Sequence, residues 1–486
     1  MKRPYKLKHI DEVLYEIPRE PPMRVPAYIY IDEKNLSHLQ EGSRQKDSQW
    51  DALLQLQRVA MLPGIVTHAL GMADIHPGYG FPIGGVGAFD LNEGLICVGG
   101  VGFDCNCGVR ALKIPLSPPD IERQKETLAD GLAVTIPAGL GKKGRISFSG
   151  KELDKILAGG TPWLVKQGWG IEQDFEYTED GGCLSDADPG QVSEQAKKRQ
   201  MGEMGTLGSG NHYLEILYAD EIYDDNIAGQ WGLNDQSVIA LIHCGSRALG
   251  HQVGMDYIRI FRKALSNYSL TLPHMDLIGL PFSSREGRNY YQAMNAAMNC
   301  GYANRHLLAH LVREVFTSVF GLPGNRITTL YDVGHNNAKL EKHEVKGQKK
   351  KLLVHRKGST RSLPPKHPLL PEAYRSTGQP VLVGGSMGTC SYILSGTEHS
   401  RKTFNSTIHG AGRLLSRKQA KKSAHADNVW KTLARQNIIL KAASKKGIFE
   451  EIPEAYKNVD EVVDIMVRAK INKKVVRLKP AICVKG

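Results

Sequence analysis

Apolar and polar positions along the chain alternate between short apolar runs that end at glycine or histidine and longer stretches of helical character. Residues 50–61 read as a helix stopped by Pro63-Gly64, and residues 121–131 and 192–200 as short polar helices. Between residues 71 and 108 glycine recurs every few positions, interleaved with β-like runs such as Gly94-Leu95-Ile96-Cys97-Val98. Two compact apolar runs, 238–243 and 327–333, are predicted to be strands that deliver a residue at their ends. Residues 289–320, rich in Ala, Met, Leu and His and broken only by Gly301, carry the longest helical pattern. Residues 342–366 are basic, 381–413 are again punctuated by glycine, and a helix over 459–469 precedes a strand over 475–484. No internal repeat and no linker interrupts the series. The pattern predicts a single large α+β domain over residues 1–486, with mixed β-sheets flanked by helices.

Composition narrows the class. A chain of 486 residues buries a large core without disulfides or structural metals. Its 51 glycines cluster in short runs with no repeat, which excludes a collagen-like or low-complexity chain and predicts tight turns around a site. The formal net charge is +13; either the surface is simply basic or the partner is polyanionic, because a positive field concentrates phosphates. Eight cysteines without disulfide-framework spacing point to a reducing, cytoplasmic compartment with thiols available as ligands. No apolar core follows Met1-Lys2-Arg3-Pro4-Tyr5, so no signal peptide is expected, and no apolar run approaches the ~18 residues of a membrane span.

The glycine-rich segments carry the candidate chemistry. In Gly99-Gly100-Val101-Gly102-Phe103-Asp104-Cys105-Asn106-Cys107-Gly108-Val109-Arg110 the backbone turns sharply and projects Asp104 and Cys107, a carboxylate and a thiolate able to reach one metal or two adjacent ones. Spacing alone leaves Cys105 in competition with Cys107, and a glycine turn with buried cysteines is the bland alternative. His212 in Gly208-Ser209-Gly210-Asn211-His212, His243 in His243-Cys244-Gly245-Ser246-Arg247 and His335 in Asp332-Val333-Gly334-His335-Asn336-Asn337 each stand at a glycine-rich turn beside an apolar run. One such histidine is usually a surface or core residue; three in like contexts, with an Asp-x-x-Cys turn, point to a shared metal site. In His409-Gly410-Ala411-Gly412-Arg413 small residues leave room for a phosphate and expose backbone N–H groups to it, Arg413 offers a phosphate fork, and His409 can act as a nucleophile. Gly384-Gly385-Ser386-Met387-Gly388-Thr389 is a second nucleotide cradle, without the Gly-Lys-Ser/Thr ending of a Walker motif.

Together with Asp74-Ile75-His76-Pro77-Gly78-Tyr79-Gly80-Phe81, the segment 354–361 and the final Lys485-Gly486, these motifs run in an order that resembles the RtcB family of RNA-splicing ligases over roughly residues 60–486. The resemblance implies an α+β fold with a central metal and nucleotide cleft. It implies a GTP- and manganese-dependent ligase joining RNA 3′-phosphate or 2′,3′-cyclic phosphate ends to 5′-hydroxyl ends, in tRNA splicing or RNA repair. Cys107 is then expected to bridge two Mn2+ ions, Asp104 and His212 completing one and His243 and His335 the other, while His409 becomes guanylylated. The guanylate site implied takes in Asn211, His212, Tyr213, Leu214, Glu215, His335 and Asn336; then Gly384, Gly385, Ser386, Met387 and Ser391; then His409, Gly410, Ala411, Gly412, Tyr456 and Lys485. Glu215 is expected to read the guanine edge with support from Lys485. Arg356, Lys357 and Arg361, most simply a solvated basic loop, become candidates for holding RNA phosphates. RNA is the implied partner, with an archease-type activator as a further one and no membrane.

Two departures stand out. Ile408 occupies a position where family members often carry cysteine, and the stretch 398–403 looks one residue shorter than in close relatives. Within a helix one residue rotates the downstream chain by about 100°, so the intact His409 motif implies that a loop absorbs the change. Other classes also fit the residues: a guanylyltransferase that caps 3′-phosphate ends without joining them, a metal-dependent phosphohydrolase, and a non-catalytic RNA-binding relative.

Overall fold

The computed structural model describes residues 5–42, 51–423 and 426–486. Its architecture is mixed α+β, built on two large sheets. In the first, the strands lie in the order Lys8–Asp11, Leu14–Ile17, Ala27–Tyr30, Ile65–His76, Ile83–Asp90, Gln348–Lys357 and Asn336–Val345. The second runs Thr328–Gly334, Gly108–Ile114, Val238–Cys244, Tyr213–Ile222, Asn472–Lys485, Ser391–Gly396 and Pro380–Val383, and Ile439–Ala442 pairs in parallel with Asn472–Lys485. The apolar runs near 240 and 330 form the strands expected of them, and Val238–Cys244 is buried along its whole length. No helix among the described residues is long and apolar enough to cross a membrane.

The helix Arg285–Phe320 starts at Ser284, whose side chain accepts from the Gly287 N–H, and stops at Gly321 in the left-handed region (φ 66°). Its middle is buried on every face, polar Asn295, Asn299, Asn304, Arg305 and His306 included. A helix without a solvent face belongs in the interior. At Gly301 it comes so close to the 104–107 turn that a Cβ would stand 3.0 Å from the Asn106 Cβ. The shorter helices differ in detail from the pattern. Residues 121–131 belong to two helices, Pro118–Arg123 and Lys125–Thr135, which break at Gln124. Glu194–Gln200 is capped by Ser193, and Ala52–Val59 by Asp51; Trp50 lies outside the described residues.

The basic segment 342–366 divides: residues 346–351 are exposed around a turn, whereas Arg356, Lys357 and Arg361 stand in strands and are not solvated. Asn336–Val345 and Gln348–Lys357 form a hairpin, and Ser359–Arg361 pairs with Ser406–Ile408. Arg356, Lys357 and Arg361 are 0%, 6% and 3% exposed. Arg356 grips the Glu341 carboxylate with two hydrogen bonds of 2.7 and 2.8 Å, and Arg361 reaches Glu179 and Asp180, both at 2.8 Å. Lys357 donates to the Tyr79 and Phe81 carbonyls. The acids that hold the two arginines come from the neighbouring strand and from positions 179 and 180, which spacing along the chain does not reveal, and these three cations are not free to hold RNA.

The stretch Glu398–Thr403 is a 3-10 helix. Phe404 and Asn405 come next with φ of 52° and 51°, a left-handed turn that redirects the chain into Ser406–Ile408. Ile408 is fully buried among apolar neighbours, so its side chain serves the core.

Candidate metal centre and nucleotide cavity

The two sheets meet where Gly334 ends a strand of one and Asn336 begins a strand of the other, with His335 at the joint. Cys107 precedes Gly108–Ile114, His212 precedes Tyr213–Ile222, and His243 lies near the end of Val238–Cys244. Register brings these ends together: Val109 and Tyr213 both face His243, and Gly334 faces Gly108. Cys107 Sγ is 3.4 Å from His212 Nε2 and 3.3 Å from His243 Nε2. His243 Nε2 is 3.4 Å from His335 Nε2, and His212 Nε2 is 2.9 Å from Asp104 Oδ2. Two ligands of one tetrahedral ion, each about 2.1 Å from it, stand about 3.4 Å apart. The donors fall into two groups, Asp104–Cys107–His212 and Cys107–His243–His335, which share the thiol. Cys105 belongs to neither and is buried in the core.

Neighbouring groups hold these donors in place. The His212 Nδ1–H donates to the Leu207 carbonyl at 2.9 Å, which leaves Nε2 as the ligating nitrogen. Asn336 donates to the Asp104 carbonyl at 3.0 Å and accepts from the Gly358 N–H at 2.9 Å. Arg305, on the long helix, donates to the Asn106 and Cys244 carbonyls at 2.5 and 2.8 Å and to Asp332 Oδ1 at 2.9 Å. One guanidinium thus fastens the three segments that carry Cys107, His243 and His335. Burial works against charge on Asp104, but the His212 hydrogen bond and the charges of His212 and Arg247 hold it below the usual carboxylate range. Burial, aided by Asp104, pushes the Cys107 thiol up to about 11. Burial and cationic neighbours keep His243 and His335 far below the ordinary imidazole range, hence neutral. Neutral imidazoles, a carboxylate and a thiol that a bound cation would deprotonate suit divalent transition metals.

Beside this cluster the strand Ser406–Ile408 delivers His409. Its backbone N–H and its Nδ1 both donate to Asp74 Oδ2, at 2.9 and 2.6 Å. With Nδ1–H committed to the carboxylate, Nε2 keeps its lone pair. The His409 and His335 ring centroids are 4.7 Å apart. Gly412 (φ 74°) lets this loop lie directly on the Asp74 backbone, which any side chain there would strike.

A cavity of about 220 Å³ opens next to His409. Asn211, Tyr213 and Glu215 line one side, and Cys483 and Lys485, which pair in register with Glu215 and Tyr213, continue it. The segments 384–387 and 409–413 and Tyr456 make the rest of the wall, with His76, Ile83, Arg417 and Glu451. Burial pushes Glu215 up to about 7 against the opposing pull of Lys485. Leu214 faces the core, Ser391 sits behind the 384–387 loop and accepts from the Gly385 N–H, and Asn336 supports Asp104. His212 and His335 belong to the donor cluster. The Arg413 guanidinium differs from its reading as a phosphate fork: it is spent on Glu451, the Glu450 carbonyl and the Tyr456 hydroxyl. Arg417, its side chain 59% exposed and its Nε 3.6 Å from Glu450 and Glu451, is the more open cation at the mouth.

Sequence reasoning assigned no role to Asp74 or Arg305. Each had a signal, a lone charge inside an apolar strand or helix run. Glu451 had none, because its partners are assembled by the fold alone.

Comparison with known proteins agrees in extent with this picture. The family model described as tRNA-splicing ligase RtcB matches residues 55–486. A tRNA-splicing ligase RtcB of Thermococcus kodakarensis is 46% identical over 490 residues, covering 100% of both chains. The proteins of the same name from Archaeoglobus fulgidus and Aeropyrum pernix are 45% and 42% identical, each over 99% of both chains.

Proposed function

The chain belongs to the RtcB family of tRNA-splicing ligases and is an RNA ligase, and on that premise we propose that it joins RNA 3′-phosphate or 2′,3′-cyclic phosphate ends to 5′-hydroxyl ends through a guanylylated His409, with GTP as co-substrate and two manganese ions. One observation carries the reading: His409, held on Asp74, has its ring against a candidate metal ligand and lines the same cavity as Glu215. The donor set fits two divalent ions, held by Asp104, Cys107 and His212 and by Cys107, His243 and His335. Bound there, they would supply the positive charge that lets a triphosphate and an RNA phosphate approach one another.

The chain's own residues do the rest. Asp74 fixes the His409 tautomer, so that Nε2 attacks the α-phosphorus of GTP. The N–P bond forms as the bond to pyrophosphate breaks. An oxygen of the RNA 3′-phosphate then attacks the same phosphorus, the N–P bond breaks, and the RNA end carries a pyrophosphate-linked guanosine. The 5′-hydroxyl attacks the RNA-side phosphorus, the phosphodiester forms, and GMP leaves as the hydroxyl proton is lost. A cyclic phosphate is first opened by water to the 3′-phosphate. Glu215, when ionised, accepts from guanine N1–H and N2–H2, an edge adenine does not offer. Arg417 is placed to meet an incoming phosphate with a salt-sensitive contact. The proposed setting is the cytoplasm, with an archease-type protein as the activating partner.

Labelled GTP tests this directly. The wild-type protein should label covalently in the presence of manganese and join a 3′-phosphate RNA to a 5′-hydroxyl RNA. His409→Ala should abolish the adduct while metal binding stays near normal. Labelling without joining would mean end capping, an absence of labelling would mean hydrolysis, and an adduct in His409→Ala would refute the nucleophile assignment. Repeating the joining with zinc and cobalt separates the metals, since bare affinity does not favour manganese.

A further inference from the structure

We propose that Lys457 is a positioning residue for the nucleophile, its buried ammonium gripping the strand that presents Asp74 to His409. The inference rests on His409 as the guanylylated residue. Strand Ile65–His76 pairs in continuous register with both neighbours only over Ala69–Gly71. The register to Ile83–Asp90 then shifts until His76, so residues 72–75 lie outside the ladder that would otherwise hold them. Lys457 fills that role. Its Nζ donates to the Ala73 and Ile75 carbonyls at 2.9 and 2.8 Å, the two that flank Asp74. The Asp74 carbonyl, which an extended chain turns to the other side, accepts from His76 Nδ1 at 2.9 Å. Three successive carbonyls are thereby held from two directions at the point where the strand must aim one carboxylate.

Lys457 also ties in the other half of the site. Its backbone N–H donates to the Gly412 carbonyl at 2.9 Å, and it is the next residue after Tyr456 on the cavity wall. Only 4% of it is exposed, and it makes no ion pair among the described residues. A buried ammonium whose bonds all go to backbone carbonyls costs desolvation free energy and is explained by the geometry it imposes. Burial, opposed by Asp74 and Asp32, pushes it down to about 8. The titratable and charged groups about it are Asp74 and His76 on the strand, Asp32, and His38 and Arg413 across a small neighbouring space. Raising the pH through 8 removes the charge from these hydrogen bonds, and the aim of Asp74 loosens.

The test is single-turnover formation of the enzyme–GMP adduct by the full-length, manganese-loaded protein across pH 6–10, with GTP affinity, manganese affinity and thermal midpoint measured in parallel. Lys457→Met should lower the maximal rate by about tenfold to a hundredfold, the range for one charge-assisted hydrogen bond, with GTP and manganese affinity unchanged. Lys457→Gln, which keeps a neutral donor, should recover part of the rate and lose the alkaline fall that the wild type shows near pH 8. A purely structural lysine predicts otherwise: the same alkaline fall in Lys457→Gln, or a loss of rate that tracks loss of folding or of GTP affinity. Either result overturns the proposal, as does wild-type labelling in both variants. Failure of the wild type to label at His409 would overturn the functional reading, and this inference with it.

Discussion

At the scale of single residues, burial decides the chemistry. Glu215 keeps its proton to about pH 7 in the folded, nucleotide-free protein, against an ordinary carboxyl value of 4.5. A raised carboxyl pKa means that the folded state binds more protons than the unfolded one between those values. Its contribution to stability is therefore complete below pH 4.5 and is lost as pH rises through 7, a change on the order of 3 kcal/mol. Glu215→Gln should remove that slope from the pH dependence of denaturant unfolding. On the proposed reading GTP binding should run the opposite way, because the ionised form would accept the guanine N–H groups. Affinity should weaken as pH falls from 8 to 6 in the wild type, and stay flat and lose its guanine preference in Glu215→Gln. The cysteines separate as cleanly. Cys107→Ala should weaken both ions in a metal titration, whereas Cys105→Ala should cost only packing; equal losses would sink the shared-thiol assignment. Spacing left these two thiols in competition, since both lie on one glycine turn; the family resemblance pointed to Cys107, and the converging strand ends bring its sulfur against His212 and His243. Arg356 and Arg361 misled for the related reason that a run of cations says nothing about acids folded in from positions 179, 180 and 341.

At the scale of elements, periodicity identified what is long and apolar. The strands ending at Cys244 and Gly334 and the helix Arg285–Phe320 were legible because their apolar runs are continuous. The three strands between Lys8 and Tyr30 were not, for they are only four residues each and two of them lie at or next to the edge of their sheet, where polar side chains are tolerated. The helix also does more than fill space. Arg305 and Arg110 share Asp332 inside a fully buried pair of ion contacts, and Arg305 alone spans the ligand-bearing turns. Replacing it with Met leaves a buried carboxylate short of a partner and two carbonyls unsatisfied. Arg305→Met should lose about 3–5 kcal/mol in denaturant unfolding, and the surviving folded protein should bind manganese more weakly. An unchanged metal affinity would confine Arg305 to the core.

At the scale of the whole molecule, charge divides into two populations. The most buried arginines are paired with internal acids, and Lys357 and Lys457 with backbone carbonyls, so the cations open to RNA are the exposed ones, whose contacts would be salt-dependent. Metal binding at the joint between the sheets should stabilise the entire fold. Manganese at a hundred times its dissociation constant should add about 2.7 kcal/mol per independent site, seen as a higher thermal midpoint than in chelator, and Cys107→Ala should erase most of the difference.

The strand Asn472–Lys485 lies between Tyr213–Ile222 and Ser391–Gly396, in the interior of the second sheet. A ribosome releases it after every strand it joins. Until then Tyr213–Ile222, Ser391–Gly396 and Ile439–Ala442 lack the strand that joins them, and Glu215 has neither Cys483 opposite it nor the charge of Lys485 nearby. A product stopped short of residue 472 would carry the donor cluster and His409 but no closed wall beside Glu215. The order of the strands thus couples two events: the segment that completes the sheet is the one that completes the cavity.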